Sequence, residues 1–419
     1  MRILYISPSS GDTYFCGNCY RDSLLARSLE LSGHDVVLMP LYLPRSGVPE
    51  DVPVFFPATT YYIEQALYHK RPMPGWLQRL TAARPLLRLA SSLSGTTSAS
   101  GMEGMTLEMI EGTGMAFRDQ VDRLVGWIRA SGRPDVIHLS SSLLIGIARA
   151  LKEALDVPVV CSLQDEEVWL DSLREADAAR AWQGVADNAP YVDAFVVSSD
   201  FYRRTVERRL PGLGPLHRVY PGVEVAKYAA QGAPEAPTIG FFYRMNELDG
   251  LDILAEAFVQ LKRRGSVPGL QLRIGGGAIG AQDRRSLARI REILAPFASD
   301  VHFEPEYDVR RHHEFYRQVS VLSVPLRFDE GIGLYLCEAF AAGVPAVEPA
   351  TGSFPEVVDG AGLLYEPNDP EHLAGALERL LCDPERLAEC RRRSLELART
   401  RYNAEVAAQN LLNIYGSIR

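Results

Sequence analysis

The sequence has fewer basic than acidic residues, little cysteine and no long apolar run, and each shortage argues against a class of protein. Only four of its 44 basic residues are lysines, and 53 acidic residues bring the formal net charge to −9 at pH 7. This balance, without a long basic run, excludes a general nucleic-acid binder. No apolar run reaches the ~18 residues that a membrane-spanning helix needs. Six cysteines in a chain of 419 residues do not make a disulfide framework.

The length and composition predict a cytoplasmic protein of two domains. The apolar run after Met1 is broken by Pro8, which makes it too short for the apolar part of a signal peptide. A hydrophobic content of 47% and a charged content of 23% are ordinary for a globular protein. A chain of 419 residues exceeds what one core usually holds, so we expect two domains of ordinary size.

The most informative stretch runs from Glu330 to Glu356. The apolar run 319–325 before it predicts a buried strand, and the apolar residues after Gly333 recur at helical spacing. Glycines let a backbone approach a ligand closely, and the N–H groups of a helix start attract anions. Phosphate would repel Glu330 and Glu338, so we expect these two to accept hydrogen bonds from hydroxyl groups. A ligand that has hydroxyl groups beside phosphate is a nucleotide-sugar, so one interpretation of this stretch is a nucleotide-sugar site. The alternative is a strand–helix unit whose two glutamates are solvated.

This stretch resembles the donor-site signature of the retaining glycosyltransferases of family 4, which are similar to glycogen synthases and to the group 1 glycosyltransferases. In that family two glutamates separated by seven residues precede Ala-x-Ala-x-Gly-x-Pro and Gly-x-x-Pro-Glu, and every element is present between Glu330 and Glu356. The resemblance implies an α/β chain of GT-B architecture. Two doubly wound, Rossmann-like domains would face each other across a cleft, and a C-terminal helix would cross back to the first domain.

The resemblance also implies an activity. A family member transfers a sugar from a nucleoside-diphosphate sugar, most often a UDP-sugar, to an acceptor and retains the anomeric configuration. It needs no divalent metal and no cofactor other than the nucleotide-sugar as co-substrate. A small hydroxy acid, a thiol, a lipid or a glycan would all suit as acceptor, and the sequence leaves the acceptor and the oligomeric state open.

The pattern of strands and linkers divides the chain. A βαβ pattern opens it, and residues 231–237 have the Gly- and Pro-rich composition of a linker. We predict an acceptor-side domain over 1–232, a nucleotide-sugar-binding domain over 233–400 and a crossing helix over 401–419. The first domain carries a loosely patterned insert at about 57–118, of the kind that forms a lid or is disordered. The insert has no polybasic cluster, which disfavours contact with a membrane surface.

The resemblance assigns roles in donor binding to residues of the second domain. Glu338 is expected on the ribose hydroxyls, and Glu330 with the loop that follows it on the sugar. Arg244 matches the arginine that neutralises the leaving diphosphate, and Arg327 is a candidate for a second cation. Tyr307 lies where the family holds the nucleobase and is a candidate to stack on it. The residues of this loop that are expected to contact the donor are Gly331, Ile332, Gly333 and Leu334.

Two positions depart from the family pattern. The family has a lysine five residues after its arginine, whereas this chain has Asp249 there, and a negative charge near a diphosphate is unfavourable. The family has a catalytic histidine at a strand end where this chain has Gln164, which cannot take up a proton near neutral pH. A GT-B protein that binds nucleotide-sugars with weakened chemistry is therefore an open alternative, and a GT-B phosphorylase or epimerase is another.

The loop before the first predicted helix supplies further candidates. Gly17 matches the glycine loop that approaches the donor phosphates, and Cys16, Asn18 and Cys19 flank it at the same expected cleft. A thiol at a helix start can have a lowered pKa, and two half-buried packing residues are the other interpretation. A single Cys-x-x-Cys pair lacks the second pair that a zinc site needs. His138, on a predicted strand, either faces the cleft or packs in the core.

Residues 275–280 fit Gly-x-Gly-x-x-Gly after a predicted strand, which leaves a dinucleotide-dependent oxidoreductase as a further alternative. A dinucleotide-binding fold opens with this motif, whereas here it lies deep in the chain. We therefore interpret it as the glycine turn that the family has at this point. The neighbouring His312 and His313 fall in a short helix and are expected at the surface.

Overall fold

The computed structural model describes residues 1–8, 17–43, 52–53, 55–56, 103–228, 234–278, 280–304 and 311–418. The chain forms two compact units. The first comprises 1–198, 202–219 and 408–419, and the second comprises 199–201 and 220–407. The predicted boundary at 232 and the first part of the predicted insert, 57–102, lie outside the described residues.

The first unit is built on a parallel sheet of six strands in the order β2-β1-β3-β4-β5-β6. The inner strands β3, β4 and β5 are buried at every position, as expected for a sheet with helices on both faces. The strands are β1 (Arg2–Ser7), β2 (Asp35–Pro40), β3 (Val136–Leu139), β4 (Val159–Leu163), β5 (Ala194–Val197) and β6 (Leu216–Arg218).

Helices between these strands bury apolar stripes against the sheet. One core cluster joins Ile137 and Leu139 of β3 to Leu151, Phe195 and Val206. The helices are α1 (Gly17–Leu31), α2 (Glu103–Glu111), α3 (Met115–Ser131), α4 (Ile147–Leu155), α5 (Glu166–Leu170), α6 (Glu175–Asn188) and α7 (Asp200–Arg209). Short 3₁₀ turns occupy Ser142–Leu144 and Ala189–Tyr191.

The second unit contains another parallel sheet of six strands, in the order β12-β11-β10-β7-β8-β9. The strand order reverses between β7 and β10, and in such sheets ligands bind beyond the carboxyl ends of the strands at the reversal. The strands are β7 (Thr238–Arg244), β8 (Gln271–Gly277), β9 (Val301–Glu304), β10 (Val321–Leu322), β11 (Ala346–Pro349) and β12 (Gly362–Tyr365). Arg244 ends β7, and the chain beyond β10 leads to Glu330, so the sheet places both residues at its reversal.

The remaining helices complete the doubly wound arrangement, and the predicted fold class is confirmed. They are α8 (Leu251–Arg264), α9 (Gly280–Leu294), α10 (His312–Tyr316), α11 (Leu334–Ala341), α12 (Phe354–Val358), α13 (Pro370–Leu381), α14 (Pro384–Thr400) and α15 (Ala404–Ser417), with 3₁₀ turns at Val225–Tyr228 and Ala295–Asp300. From Ala408 onward the last helix groups with the first unit. Of the helices in the described ranges, none is long and apolar enough to cross a membrane.

The glycine motif spans the end of β8 and the start of the helix that follows it. Gly275 and Gly276 lie inside β8, and only Gly280 begins a helix. A Cβ atom at Gly275 would lie 2.7 Å from the ring of Phe242, and one at Gly276 would lie 2.0 Å from the carbonyl oxygen of Tyr243. Close packing of β8 on its surroundings therefore explains Gly275 and Gly276.

Candidate active site

Glu330 lies in the loop between β10 and α11, at the reversal of the second sheet. Its residue surface is only 7% exposed. One carboxyl oxygen accepts a hydrogen bond from the N–H of Ile332 at 3.3 Å, and the other accepts one from the hydroxyl of Tyr243 at 3.4 Å. Burial raises the pKa of Glu330, and the N–H groups of residues 331–333 offset only part of that rise. The loop thus holds a carboxyl group in a fixed position at the carboxyl edge of the sheet.

The later part of the sequence signature packs directly on this glutamate. The N–H of Ser353 donates to the carbonyl oxygen of Glu330 at 3.0 Å. Gly352 has a φ of +57°, and a Cβ atom there would lie 2.8 Å from the backbone nitrogen of Glu330. The hydroxyl of Ser199 donates to the carbonyl oxygen of Gly331 at 2.6 Å. The spacing between the glutamate and the Gly-x-x-Pro-Glu turn therefore reflects a backbone contact.

The second glutamate of the signature, Glu338 in α11, is 2% exposed and already has three partners within the protein. One oxygen accepts from the hydroxyl of Tyr228 at 2.6 Å and from Nδ1 of His312 at 2.8 Å. The other oxygen accepts from the hydroxyl of Tyr316 at 3.0 Å. A carboxylate has about four acceptor positions, and the bonds among the described residues occupy three of them. His312, expected at the surface, is buried. Its ring packs against the ring of Phe242, with centroids 4.7 Å apart, and its Nδ1 is hydrogen-bonded to Glu338.

Both arginines predicted near the diphosphate are ion-paired with carboxylates. Nε and Nη2 of Arg244 donate to the two oxygens of Asp283 at 2.7 and 3.1 Å. Nη1 and Nη2 of Arg327 donate to the two oxygens of Asp252 at 2.6 and 2.7 Å, and Nη1 also donates to the carbonyl oxygen of Glu247. The charge of Arg244 and the charge of Arg327 are therefore each matched by a carboxylate of the same unit.

Asp249, at the position where the family has a lysine, is a buried carboxyl group that is 5% exposed. Its N–H donates to the side-chain oxygen of Asn246 at 2.9 Å. Its own Oδ2 is buried and has no hydrogen-bond partner within the described part of the chain. Burial is the largest cause that raises the pKa of Asp249 to about 7, with smaller contributions from Asp283 and Glu330 and a partial offset from Arg244.

Sequence reasoning missed Glu348, which is fully buried in β11. Both of its oxygens lie within hydrogen-bond distance of the N–H of Val324, at 3.1 and 3.2 Å. Burial raises the pKa of Glu348 well above its usual range, and the nearby Glu330 adds to that rise. Glu348 thus ties β11 to the chain segment that leads from β10 to Glu330. An acidic residue inside the buried strand Ala346–Pro349 was the available signal.

Gln164, predicted at the reacting side, belongs to a buried polar cluster of the first unit. It follows β4, is 6% exposed, and its side-chain amide donates to Asp22 at 3.3 Å. Its N–H donates to Glu166 at 2.5 Å. Asp22, which the sequence did not single out, also accepts from the hydroxyls of Tyr5 at 3.1 Å and Ser7 at 2.8 Å. Two carboxyl groups therefore fix Gln164 where β1 and β4 end.

His138, which the sequence left either at the cleft or in the core, lies in the core of the first unit. It is fully buried, and its Nδ1 and Nε2 lie 2.6 and 2.8 Å from the hydroxyl oxygens of Tyr415 and Ser162. Its ring stacks on Tyr5 with centroids 4.5 Å apart. Burial, followed by the charge of Arg21, lowers the pKa of His138 to about 3. A neutral histidine with both nitrogens bonded serves packing.

The predicted glycine loop is described only from Gly17, the first residue of α1. A Cβ atom at Gly17 would meet no atom within 4 Å, and Asn18 is exposed. Cys19 is buried and disulfide-bonded, so it offers no free thiol, and of the two interpretations the reactive thiol does not apply to it. Cys16 and Tyr307 lie outside the described residues. Within the described ranges, no group of three or more His, Cys, Asp or Glu side chains is arranged to hold a metal ion.

Comparison with known protein families covers both units. Residues 23–222 match the sequence profile of the glycosyl transferase 4-like domain, and residues 236–383 match that of glycosyl transferases group 1. Among curated relatives, the D-inositol 3-phosphate glycosyltransferase of Acidothermus cellulolyticus is 30% identical over 327 residues, which cover 72% of this chain and 70% of that protein. The enzyme of the same name from Nocardia farcinica is 32% identical over 269 residues, 63% of this chain and 57% of that protein.

A solved structure shares the fold at low sequence identity. HepE of Anabaena, in complex with UDP, superposes with a TM-score of 0.68 and 15% identity, covering 100% of both chains. HepE has also been solved in complex with UDP-glucose. At this identity the likeness supports the GT-B architecture, in agreement with the two parallel sheets of this chain.

Proposed function

Because the chain belongs to the group 1 glycosyltransferases, we propose that it transfers a hexosyl group from a UDP-sugar to a hydroxyl of a phosphorylated polyol, with retention of the anomeric configuration. The observation that carries the proposal is the position of Glu330. It is a buried carboxyl group, oriented by its own loop, at the carboxyl edge of the sheet where the strand order reverses.

The arrangement around Glu330 suits a nucleotide-sugar. A carboxyl group fixed by the N–H of Ile332 accepts hydrogen bonds from sugar hydroxyls, which orients the sugar. Gly333, with a φ of +63°, precedes α11 and lets the loop turn into a helix whose start attracts the diphosphate. The remaining acceptor position of Glu338 is then available to a ribose hydroxyl. The UDP and UDP-glucose complexes of HepE favour uracil as the base.

The acceptor class follows from the relatives and from Arg21. The two relatives compared above carry D-inositol 3-phosphate in their names, which describes a polyol with a phosphate group. Burial raises the pKa of Asp22, and the charge of the neighbouring Arg21, in the first turns of α1, offsets part of that rise. Nη2 of Arg21 is buried and has no hydrogen-bond partner among the residues that the structure describes. A phosphate group of the acceptor would satisfy that nitrogen through a charge-assisted hydrogen bond.

In the proposed reaction the bond from the anomeric carbon to the diphosphate oxygen breaks, and a bond to the acceptor oxygen forms on the same face of the sugar. The acceptor proton moves to the leaving phosphate oxygen, so nucleoside diphosphate and glycoside are the products. Gln164 cannot exchange a proton near neutral pH, and its fixed amide serves to orient substrate hydroxyls. Hydrogen-bond donors aimed at the leaving group stabilise the charge that develops there.

A matrix of donors and acceptors tests the proposal. UDP-, GDP- and ADP-glucose would each be mixed with D-inositol 3-phosphate and with unphosphorylated inositol, and release of nucleoside diphosphate would be measured. We expect release with UDP-glucose and the phosphorylated acceptor, and a loss of at least about tenfold in Glu330→Gln, since oriented polar groups contribute at that scale. Asp122→Asn, at an exposed site in α3, is the matched control. Release that is equal in Glu330→Gln and wild type would contradict the proposed site.

A further inference from the structure

We propose that Asp249 binds the donor as a neutral carboxylic acid, whose O–H donates a hydrogen bond to a phosphoryl oxygen of the diphosphate. The inference rests on the proposed function, because it requires a diphosphate at the reversal of the second sheet. It assigns to Asp249 the contact that a cation would otherwise make. It also makes the protonation state of one buried side chain a condition for donor binding.

The first observation is an unsatisfied buried oxygen. Asp249 is 5% exposed, and its Oδ2 has no hydrogen-bond partner within the described ranges. A buried polar group without a partner costs about 1–3 kcal/mol, so such groups usually meet a partner from outside the protein. In Asp249 the unpartnered atom belongs to a carboxyl group, which accepts a hydrogen bond when ionised and donates one when protonated.

The second observation is that the backbone holds this side chain in place. The N–H of Asp249 bonds to the side chain of Asn246 at 2.9 Å, which fixes the turn after β7. The next residue, Gly250, has a φ of +79°, and a Cβ atom there would lie 1.9 Å from the carbonyl oxygen of Pro325. The turn is therefore packed against the chain segment that leads from β10 to Glu330.

The third observation is the charge around the carboxyl group. Arg244 faces it from the end of β7, Asp283 from α9 and Glu330 from the loop before α11. The guanidinium of Arg244 is paired with both oxygens of Asp283, so its charge is already matched. An ionised Asp249 would add a third carboxylate to this group. These surroundings favour the protonated form, in agreement with a pKa of about 7 for Asp249.

A bound diphosphate strengthens the same preference. Its negative charges raise the pKa of Asp249 further, since a like charge disfavours ionisation. The O–H of the acid donates to a phosphoryl oxygen, whereas the ionised carboxylate would repel it. Donor binding above neutral pH is therefore coupled to the uptake of one proton. The free protein binds the donor only in the protonated fraction, and that fraction falls about tenfold between pH 6 and pH 8 for a pKa near 7.

Calorimetric titration of the full chain with UDP-glucose at pH 6 and pH 8 tests the inference, with GDP- and ADP-glucose titrated in parallel. A sugar ester of the diphosphate has no terminal phosphate, whereas the terminal phosphate of free UDP titrates near pH 6 and would confuse the result. For wild type we expect the Kd to rise about tenfold from pH 6 to pH 8. Heats measured at pH 8 in two buffers of different ionisation enthalpy are expected to show uptake of about one proton.

Asp249→Asn is the decisive variant, because its amide donates a hydrogen bond at every pH and differs little in shape. We expect its Kd at pH 8 to equal that of wild type at pH 6 within about threefold, with no proton uptake. Asp122→Asn, exposed in α3, is expected to behave as wild type. If Asp249→Asn folds poorly, the proton uptake measured with the wild-type protein still tests the inference.

The possible failures are distinct. A wild-type Kd that is the same at pH 6 and pH 8, or a pH dependence that persists in Asp249→Asn, would overturn the role of Asp249 and leave the proposed function standing. An absence of binding for all three nucleotide-sugars at both pH values in wild type would overturn the proposed function, and the inference with it.

Discussion

Nδ1 of His312 and Oε1 of Glu338 lie 2.8 Å apart, and each side chain is only 3% exposed. The bond joins α10 to α11, and the hydroxyls of Tyr228 and Tyr316 converge on the same carboxyl group. Glu338 is therefore the acceptor for three buried donors, whatever else it binds. The residue that the sequence signature marks as a ligand contact is also a centre of hydrogen bonding within the second unit.

The first prediction concerns the stability that this carboxyl group provides. Glu338→Ala leaves three buried donors without an acceptor, and each such group costs about 1–3 kcal/mol. We expect the free energy of unfolding, measured by urea denaturation, to fall by at least about 3 kcal/mol. Glu207→Ala, at an exposed position of α7, is the matched control and should change it by less than about 0.5 kcal/mol. Equal stability of Glu338→Ala and wild type would contradict this role.

The second prediction concerns Glu348 and compares two substitutions. Burial raises the pKa of Glu348 well above its usual range, which favours an uncharged side chain. Glu348→Gln keeps the shape and an oxygen for the N–H of Val324, so we expect a loss in unfolding free energy below about 1 kcal/mol. Glu348→Ala leaves that N–H unpaired and opens a cavity, and we expect a loss of about 2–5 kcal/mol. Thermal and urea unfolding of both variants would decide, and equal losses would be evidence against a neutral Glu348.

The third prediction concerns pH and His138. Its pKa is lowered from 6.5 to about 3, mainly by burial, so the unfolded chain binds a proton that the folded chain does not between these values. Stability is therefore fully present above about pH 6.5 and is lost as the pH falls, at up to about 1.4 kcal/mol per pH unit. Urea midpoints from pH 7.5 to pH 5 would measure this slope. In His138→Gln the slope should be smaller by the equivalent of one proton, and an unchanged slope would refute the assignment.

The elements of regular structure followed well from the sequence, because their signals are local. The strand ending at Arg244 and the helix after Gly333 came from apolar periodicity and glycine position, and both are present. The predicted strand ended before Gly275, whereas Gly275 and Gly276 lie inside β8. The ring of Phe242 and the backbone of Tyr243, which exclude a side chain at these positions, belong to another strand and leave no local signal.

The pairing of side chains in the site could not be read from the sequence in the same way. Asp283 lies 39 residues from Arg244, and Asp252 lies 75 residues from Arg327. The local sequence around either arginine therefore gives no sign of its partner. His312 is separated from Glu338 by 26 residues and was expected at the surface for the same reason. The position of Glu330 was predicted because the signature spans a single strand–loop–helix unit, whereas Tyr243, Asp249 and Glu348, which interact with it, lie elsewhere in the chain.

The fourth prediction concerns the acceptor and Arg21, and it rests on the proposed function. Arg21→Gln removes the guanidinium whose Nη2 has no partner in the described residues. We expect the KM for D-inositol 3-phosphate to rise about tenfold or more, the cost of a lost charge-assisted hydrogen bond, with the KM for the donor unchanged. Arg118→Ala, exposed in α3, is the control. A KM that rises equally for unphosphorylated inositol would exclude a phosphate contact at Arg21.

The most direct measurement of the central claim is the anomeric configuration of the product formed from UDP-α-glucose and D-inositol 3-phosphate, read by proton NMR at early times in wild type and in Glu330→Gln. We expect an α-linked glycoside to appear together with UDP in wild type, at a rate at least about tenfold lower in the variant. A β-linked product would contradict retention. Formation of no glycoside and no UDP by the wild-type protein would contradict the proposed donor and acceptor together.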